Sequence, residues 1–264
     1  MSISTPASRP WEPRFSASMT EAPVPGPVPR LELAEWGERY GVVAGITSRG
    51  AGVPFDLGLA GVAAPVGQVM DRWRQLRRSL PEFSGIMFSR QVHGTELLWH
   101  EGGSGLVIHE GFDGHGTAVP RLLLAVSVAD CIPIYLFDPV ARRIALLHAG
   151  WRGVSAGILG KGIDLLERHG SRVENVLVHC GVGICGLCYE VTSEVFAACG
   201  VAEPGGGRGE LDLRAVLAEQ ATNKGVDSVS TSQFCTKHNG ERFFSHRGSG
   251  GEDGRQVAYL GLLA

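Results

Sequence analysis

Short runs rich in Val, Ile and Leu, each closed by Gly, Pro or Asp, recur along most of the chain. They predict β-strands at residues 42–47, 85–92, 95–99, 122–128, 132–137, 143–147, 176–179 and 256–262. Between them, apolar residues at helical spacing predict helices at 66–80, 154–168, 190–198 and 213–222. The first of these places Val66, Val69, Met70, Trp73 and Leu76 on one face, and Asp212 is the predicted N-cap of the last. Strands and helices mix without a strict βαβ repeat. The pattern therefore predicts an α/β fold of the mixed α+β kind, a single compact domain with a mixed sheet flanked by helices. No internal repeat is visible, and 202–210, "AEPGGGRGE", reads as a surface loop between two helices.

Composition narrows the class. The chain has 264 residues, 44% of them hydrophobic, and a formal net charge of −3, so no global basic field invites nucleic acid or a membrane surface. No apolar run approaches the ~20 residues of a membrane span. Residues 1–29 are rich in Pro, Ser and Thr and lack an apolar signal core, so they read as a disordered leader to a domain at 30–264. The six cysteines are irregularly spaced in a chain too long for a disulfide-stapled miniprotein, which predicts reduced thiols and a cytoplasmic protein.

The chemistry concentrates at strand ends. "FSRQVHGTE" ends a strand near Gln91 and His93, "AVSVADCIPIYLFDP" turns at Asp130 and Cys131, and "ALLHAGWRG" ends a strand at His148. Strand ends of one sheet can converge, and two histidines with one cysteine form a three-ligand set that suits Zn²⁺ with a fourth position open. Taken singly, each residue is as readily a core or surface side chain; the joint pattern raises the metal reading. The same His₂Cys set also serves blue copper. A laccase-type copper cluster, however, draws on His-x-His pairs, and the nine histidines here include none. Asp130, beside Cys131, is a candidate to orient a ligand or shuttle a proton.

After His148 the chain runs through a Gly-rich turn with Trp151 and Arg152 into a predicted helix. A guanidinium beside free N–H groups would hold an anion next to the metal; the alternative is a plain strand-to-helix turn packed by Trp151. Arg49 in "GITSRGAG" and Arg247 in "CTKHNGERFFSHRG" also sit in Gly-rich contexts, with Phe244 expected to anchor the latter segment in the core. "CGVGICGLCYE" contains Cys185 and Cys188 as a Cys-x-x-Cys, a spacing used by redox pairs and by half of a zinc site. No second Cys-x-x-Cys accompanies it, so a Gly-rich approach of the backbone to a ligand is preferred. Candidate catalytic groups are thus Asp130, Arg152 and Arg49. Gln91, Arg247 and Cys185 are candidate substrate contacts.

Together "GITSRGAG", "QVHGTE", "VADCIPIYLFDP", "HAGWRG", "GVGICGLCYEV" and "CTKHNGERFFSHR", spread from about residue 40 to the C-terminus, resemble the bacterial laccase-domain proteins. These were first called multicopper polyphenol oxidases and later assigned as purine nucleoside phosphorylases. The resemblance implies that His93, Cys131 and His148 bind zinc in a single α/β domain. It also implies phosphorolysis of adenosine, inosine and S-methyl-5′-thioadenosine, with purine nucleoside and phosphate as partners and adenosine deamination as an accompanying activity. Alternatives are copper-dependent oxidation of phenols and the editing of peptidoglycan precursors. The chain departs from the family pattern at Asp56, Val128, Val182, Cys185, Leu187, His246 and Gly248. The three metal-ligand positions match it.

Overall fold

A strand that is apolar at nearly every position needs cover on both faces, and this chain supplies it with two stacked sheets enclosed by helices. The computed structural model describes residues 19–59 and 64–264. In chain order its strands are Ala22–Pro23 (β1), Arg30–Glu32 (β2), Val42–Thr47 (β3), Gly85–Arg90 (β4), Leu97–His100 (β5), Gly105–Glu110 (β6), Gly114–Thr117 (β7), Leu122–Val128 (β8), Ile132–Asp138 (β9), Arg143–Ala149 (β10), Leu177–Cys180 (β11), Glu190–Thr192 (β12), Arg208–Glu210 (β13), Ser228–Thr231 (β14) and Gln256–Leu262 (β15). The helices are Ala34–Tyr40 (α1), Val66–Ser79 (α2), Trp151–Ser155 (α3), Ile158–Arg168 (α4), Ser193–Ala198 (α5), Leu213–Asn223 (α6) and His246–Ser249 (α7).

The first sheet runs β1-β2-β3-β15-β8-β4-β6 and the second β14-β11-β9-β10-β7-β5, while β12 and β13 form a separate ribbon. Both large sheets are mixed: β4 is parallel to β6 and β8, and β5 to β7, among otherwise largely antiparallel neighbours. Alternation along the central strands divides the core into layers. Leu122, Leu124 and Val126 of β8 meet Phe137, Ile144 and Leu146 of the second sheet. On the far side of β8, Leu123 and Ala125 pack with Val69, Trp73 and Leu76 of α2. In the second sheet, Ile134, Leu136 and Leu147 point the other way, to Ile158, Ile163 and Leu217 of α4 and α6. The Tyr135 hydroxyl donates across the middle layer to the Gly45 carbonyl at 2.8 Å.

The mixed α/β class holds, and the expected single sheet is two. The strands at 42–47, 122–128 and 256–262 have the expected bounds, and Asp212 caps α6 through the N–H groups of Arg214 and Ala215. Four local expectations change. The helix expected over 154–168 is broken at Gly157, whose φ of 77° is left-handed, so α3 and α4 are separate. Residues 190–192 form β12 before α5 begins, and the loop expected at 202–210 contributes β13 to pair with it. Val66 is solvent-exposed, and the buried face of α2 instead includes Arg72, whose guanidinium donates to the Asp56 carbonyl.

The leader reading gives way from residue 19 onward; its first eighteen residues lie outside the described ones. Ala22–Pro23 pairs with β2, Val28 is fully buried, and the Glu21 carboxylate is buried against His179 Nε2 at 3.1 Å and the Ser232 hydroxyl at 2.8 Å. Low apolar content misled here: Val28 enters the apolar core and Glu21 docks through a polar network.

Candidate metal centre and its cavity

His93, Cys131 and His148 meet where the two sheets part. His93 lies on the turn after β4, Cys131 on the three-residue link by which β8 of the first sheet becomes β9 of the second, and His148 near the end of β10. Their ligand atoms lie within 4.8 Å of one another. The convergence is therefore between strand ends of two sheets, not of one.

Unusual backbone holds the ligands. His93 and Asp130 have positive φ, 61° and 85°, a costly conformation for residues other than glycine. For His93 the cost is met locally by Asp113, fully buried between β6 and β7. Its Oδ1 accepts from His93 N at 2.9 Å, and its Oδ2 from Gly94 N at 2.7 Å and Val92 N at 3.2 Å. Oδ1 also lies 2.8 Å from His148 Nδ1. That contact fixes the tautomer and leaves Nε2 as the free donor, the usual support of a metal-bound imidazole. Gly150 completes the cradle: a Cβ there would stand 3.0 Å from His93 Cδ2 and 3.1 Å from Cys131 Sγ.

Electrostatics suit a cation. Burial pushes the Cys131 thiol up, but His148 and His93 beside it bring it down to about 6. Burial pushes the His148 imidazole down, yet Cys131 and Asp113 lift it to about 9. Without a metal the pair is a thiolate facing an imidazolium, and a bound metal takes the place of the proton. Two imidazoles and a thiolate, with one imidazole already braced by a carboxylate, fit Zn²⁺ and leave one position open.

The centre opens into a cavity of about 840 Å³. Phe88, Trp151 and Tyr189 give it aromatic walls, and Arg90, Arg152, Arg247 and Arg255 give it a cationic lining. The Tyr189 phenol is raised to about 12, mainly by burial and then by Cys131, so it remains a hydrogen-bond donor.

The other candidates divide. Arg152 stands at the cavity with its guanidinium 4.4 Å from the Trp151 ring centre. The helix behind it is only five residues long, so the long helix start expected to aid it is absent. Arg247 lines the cavity; its Nη1 donates to the Glu190 carbonyl and its guanidinium lies over Tyr189. Gln91 also lines it, but its amide is committed to both backbone groups of Ser127. Asp130 accepts from the Thr236 hydroxyl at 2.6 Å, the Ser245 hydroxyl at 2.8 Å and Arg247 N at 2.6 Å, so its carboxylate ties chain segments together. Arg49 is not among the lining residues; it pairs with Asp253 and lies over Phe244, which is buried as expected. Cys185 is likewise outside the cavity lining and faces Cys188, Cys235 and His238.

Asp113, Gly150, Arg90 and Arg255 escaped sequence reasoning. Asp113 sits in "GFDGHGT", where an Asp-Gly step reads as a turn, and its partners are far away in the chain.

With this geometry in view, comparison with known proteins places the chain. Residues 45–263 match the family model described as multi-copper polyphenol oxidoreductase laccase, and the chain belongs to that family. A protein of Deinococcus radiodurans named purine nucleoside phosphorylase is 36% identical over 188 residues, covering 68% of this chain and 72% of that protein. A protein named adenosine deaminase RL5, from an unknown prokaryotic organism, is 33% identical over 158 residues, 55% of this chain and 60% of its own length. The crystal structure of the hypothetical protein YfiH from Bacillus licheniformis superposes with a TM-score of 0.82 at 26% identity, covering 90% of this chain and 97% of that one.

Proposed function

We propose that this chain is a zinc-dependent purine nucleoside phosphorylase acting on adenosine, inosine and S-methyl-5′-thioadenosine, and that the same cavity deaminates adenosine. The observation that carries the reading is the pairing of an open His₂Cys centre with an arginine-lined, aromatic-walled cavity large enough for a nucleoside. Relatives named for phosphorolysis and for deamination support it. The six cysteines are free, as suits a cytoplasmic enzyme.

Zn²⁺, held by His93, Cys131 and His148, would supply Lewis-acid polarisation of a bound oxygen. Arg152 and Arg247 bind the phosphate oxyanions as phosphate adds to C1′ of the ribose and the purine departs. The faces of Phe88, Trp151 and Tyr189 hold the purine by stacking and keep water from the reacting carbon. Asp130 is a positioning residue, holding the start of the Arg247 segment through its N–H. Arg49 is left with a structural role, and so is Gln91, which fixes the wall beside Ser127.

The experiment is incubation with each nucleoside with and without inorganic phosphate, reading ribose 1-phosphate, free base, inosine and ammonia. Parallel arms offer a phenolic substrate with Cu²⁺ and a UDP-linked muropeptide. Phosphate-dependent release of base supports the reading, as does a rise in phosphate KM of about 10- to 150-fold in Arg152→Lys at unchanged zinc content. Turnover confined to the phenol or the muropeptide overturns it.

A further inference from the structure

The Cys-x-x-Cys has a partner. Cys185 and Cys188 bracket a single 3₁₀ turn, Gly186–Cys188, and opposite them the turn after β14 carries Cys235-Thr-Lys-His238, a Cys-x-x-His. One ligand atom from each of the four side chains lies within 4.8 Å of the others. The Cys185 sulfur is 3.5 Å from His238 Nδ1, and the Cys188 sulfur 3.3 Å from His238 Nε2. Tetrahedral Zn²⁺, with Zn–S near 2.3 Å and Zn–N near 2.0 Å, sets ligand S···N separations of about 3.5 Å. The two sulfurs face opposite nitrogens of one imidazole, and an ion among the three sulfurs would take one of those nitrogens as its fourth ligand.

Backbone donors are already aimed at the Cys235 sulfur. It accepts from the backbone N–H groups of Cys185 at 3.3 Å and His238 at 3.5 Å. Such donation to sulfur compensates charge that a neutral thiol would not carry. A redox pair would use only Cys185 and Cys188 and leave Cys235 and His238 without a purpose. Four protein ligands leave no open position, which is the composition of a structural zinc site rather than a catalytic one.

We propose that Cys185, Cys188, Cys235 and His238 form a second, structural Zn²⁺ centre that clamps two loops of the cavity wall together. The first loop continues from Cys188 directly to Tyr189, which lines the cavity. The second carries Thr236, whose hydroxyl donates to Asp130, and leads on to Ser245 and Arg247, which hold the same carboxylate. Gly183 and Cys235 already form a β-bridge between the two loops. The ion therefore locks the segments that converge on Asp130, next to Cys131, without entering the reaction. The inference is independent of which substrate the cavity takes.

The test counts zinc in the purified full chain and its variants, and follows Co²⁺ exchange by the thiolate-to-metal absorption. Wild type should hold two equivalents, and Cys131→Ala should keep one, with the strong absorption of a three-thiolate site. Cys188→Ser should lose one equivalent and melt at a lower temperature. His238→Cys, which preserves four ligands, should retain both ions and shift the Co²⁺ spectrum toward that of four thiolates. Because Cys131→Ala leaves the second centre untouched, the reading survives a misfolded Cys188→Ser. At most one zinc in wild type that disappears in Cys131→Ala would overturn the proposal, as would a Cys185–Cys188 disulfide in protein purified without reductant.

Discussion

Asp113→Asn is the substitution that asks most of the metal centre. It conserves size and removes one charge in a fully buried position. Oδ1 serves His93 N and His148 Nδ1, while Oδ2 serves Gly94 N and Val92 N. An amide can present its oxygen to only one of those pairs, and its NH₂ then faces two donors. Two donors, part-buried apart from His148 Nδ1, lose their acceptor in either orientation. At about 1–2 kcal/mol for each, the variant should lose roughly 2–4 kcal/mol of stability. The consequence for the metal is separable. His93 keeps its positive φ through the bond to Oδ1, and His148 keeps its free Nε2 the same way, so zinc affinity at this centre should fall about 10- to 100-fold. Urea unfolding of the metal-free protein measures the first effect, and competition against a chromophoric chelator measures the second. An Asp113→Asn protein that unfolds at the wild-type midpoint and competes for zinc equally well would refute the role given to Asp113.

Three further outcomes follow from other parts of the molecule. Gly150→Ala should keep the circular dichroism of the wild type yet lose zinc from the His₂Cys centre, because its methyl would press on His93 and Cys131 at 3.0–3.1 Å; full occupancy would show that the turn yields. Glu21→Ala should cost about 3–5 kcal/mol, since it strips the buried His179 and Ser232 of their acceptor. Burial pushes the Glu21 carboxyl up, but His179, the Glu21 backbone and Ser232 hold it below its ordinary 4.5, so its contribution is present above that pH and fades below it; an unchanged denaturation midpoint at pH 7 would return residue 21 to the leader. Burial, then neighbouring histidines, depress His115 to about 3, and burial, then His109, depress His100 to about 4. Both are therefore neutral in the fold and charge on unfolding. Stability should be complete above pH 6.5 and fall as pH drops from there, by up to about 1.4 kcal/mol per unit for each histidine; His115→Gln should flatten that slope, and an identical slope would count against it.

What could be read from the chain follows physical range. β3, β8 and β15 are bounded by residues that stop strands locally, and their limits were legible. β7 was not, because Gly-His-Gly-Thr offers a single strand-favouring side chain, Thr117. Its glycines are there because neighbours fill their space: a Cβ on Gly114 would lie 2.7 Å from both Leu97 and Leu147. The stacking of two sheets was hidden for a related reason, since strands buried on both faces lose the alternation that marks an inside. The three candidate metal ligands could be found because each lies in its own short motif. Asp113 could not, because its meaning depends on residues some twenty and thirty-five positions away. The Cys235 and His238 pair was visible as spacing, but a single Cys-x-x-His is a weak signal until the fold brings it to Cys185 and Cys188.

The link of three residues from β8 to β9 makes the His₂Cys centre a gauge of how the two sheets sit on each other. His93 belongs to the margin of one sheet and His148 to the other, with Cys131 on the thread between them. A slip of one sheet against the other would change all three ligand separations together. Substitutions at Tyr135, Phe137 or Leu124, none of which lines the cavity, should accordingly weaken metal retention as well as stability. An ion held by His93, Cys131 and His148 would tie the two sheet margins and the thread between them at a single point.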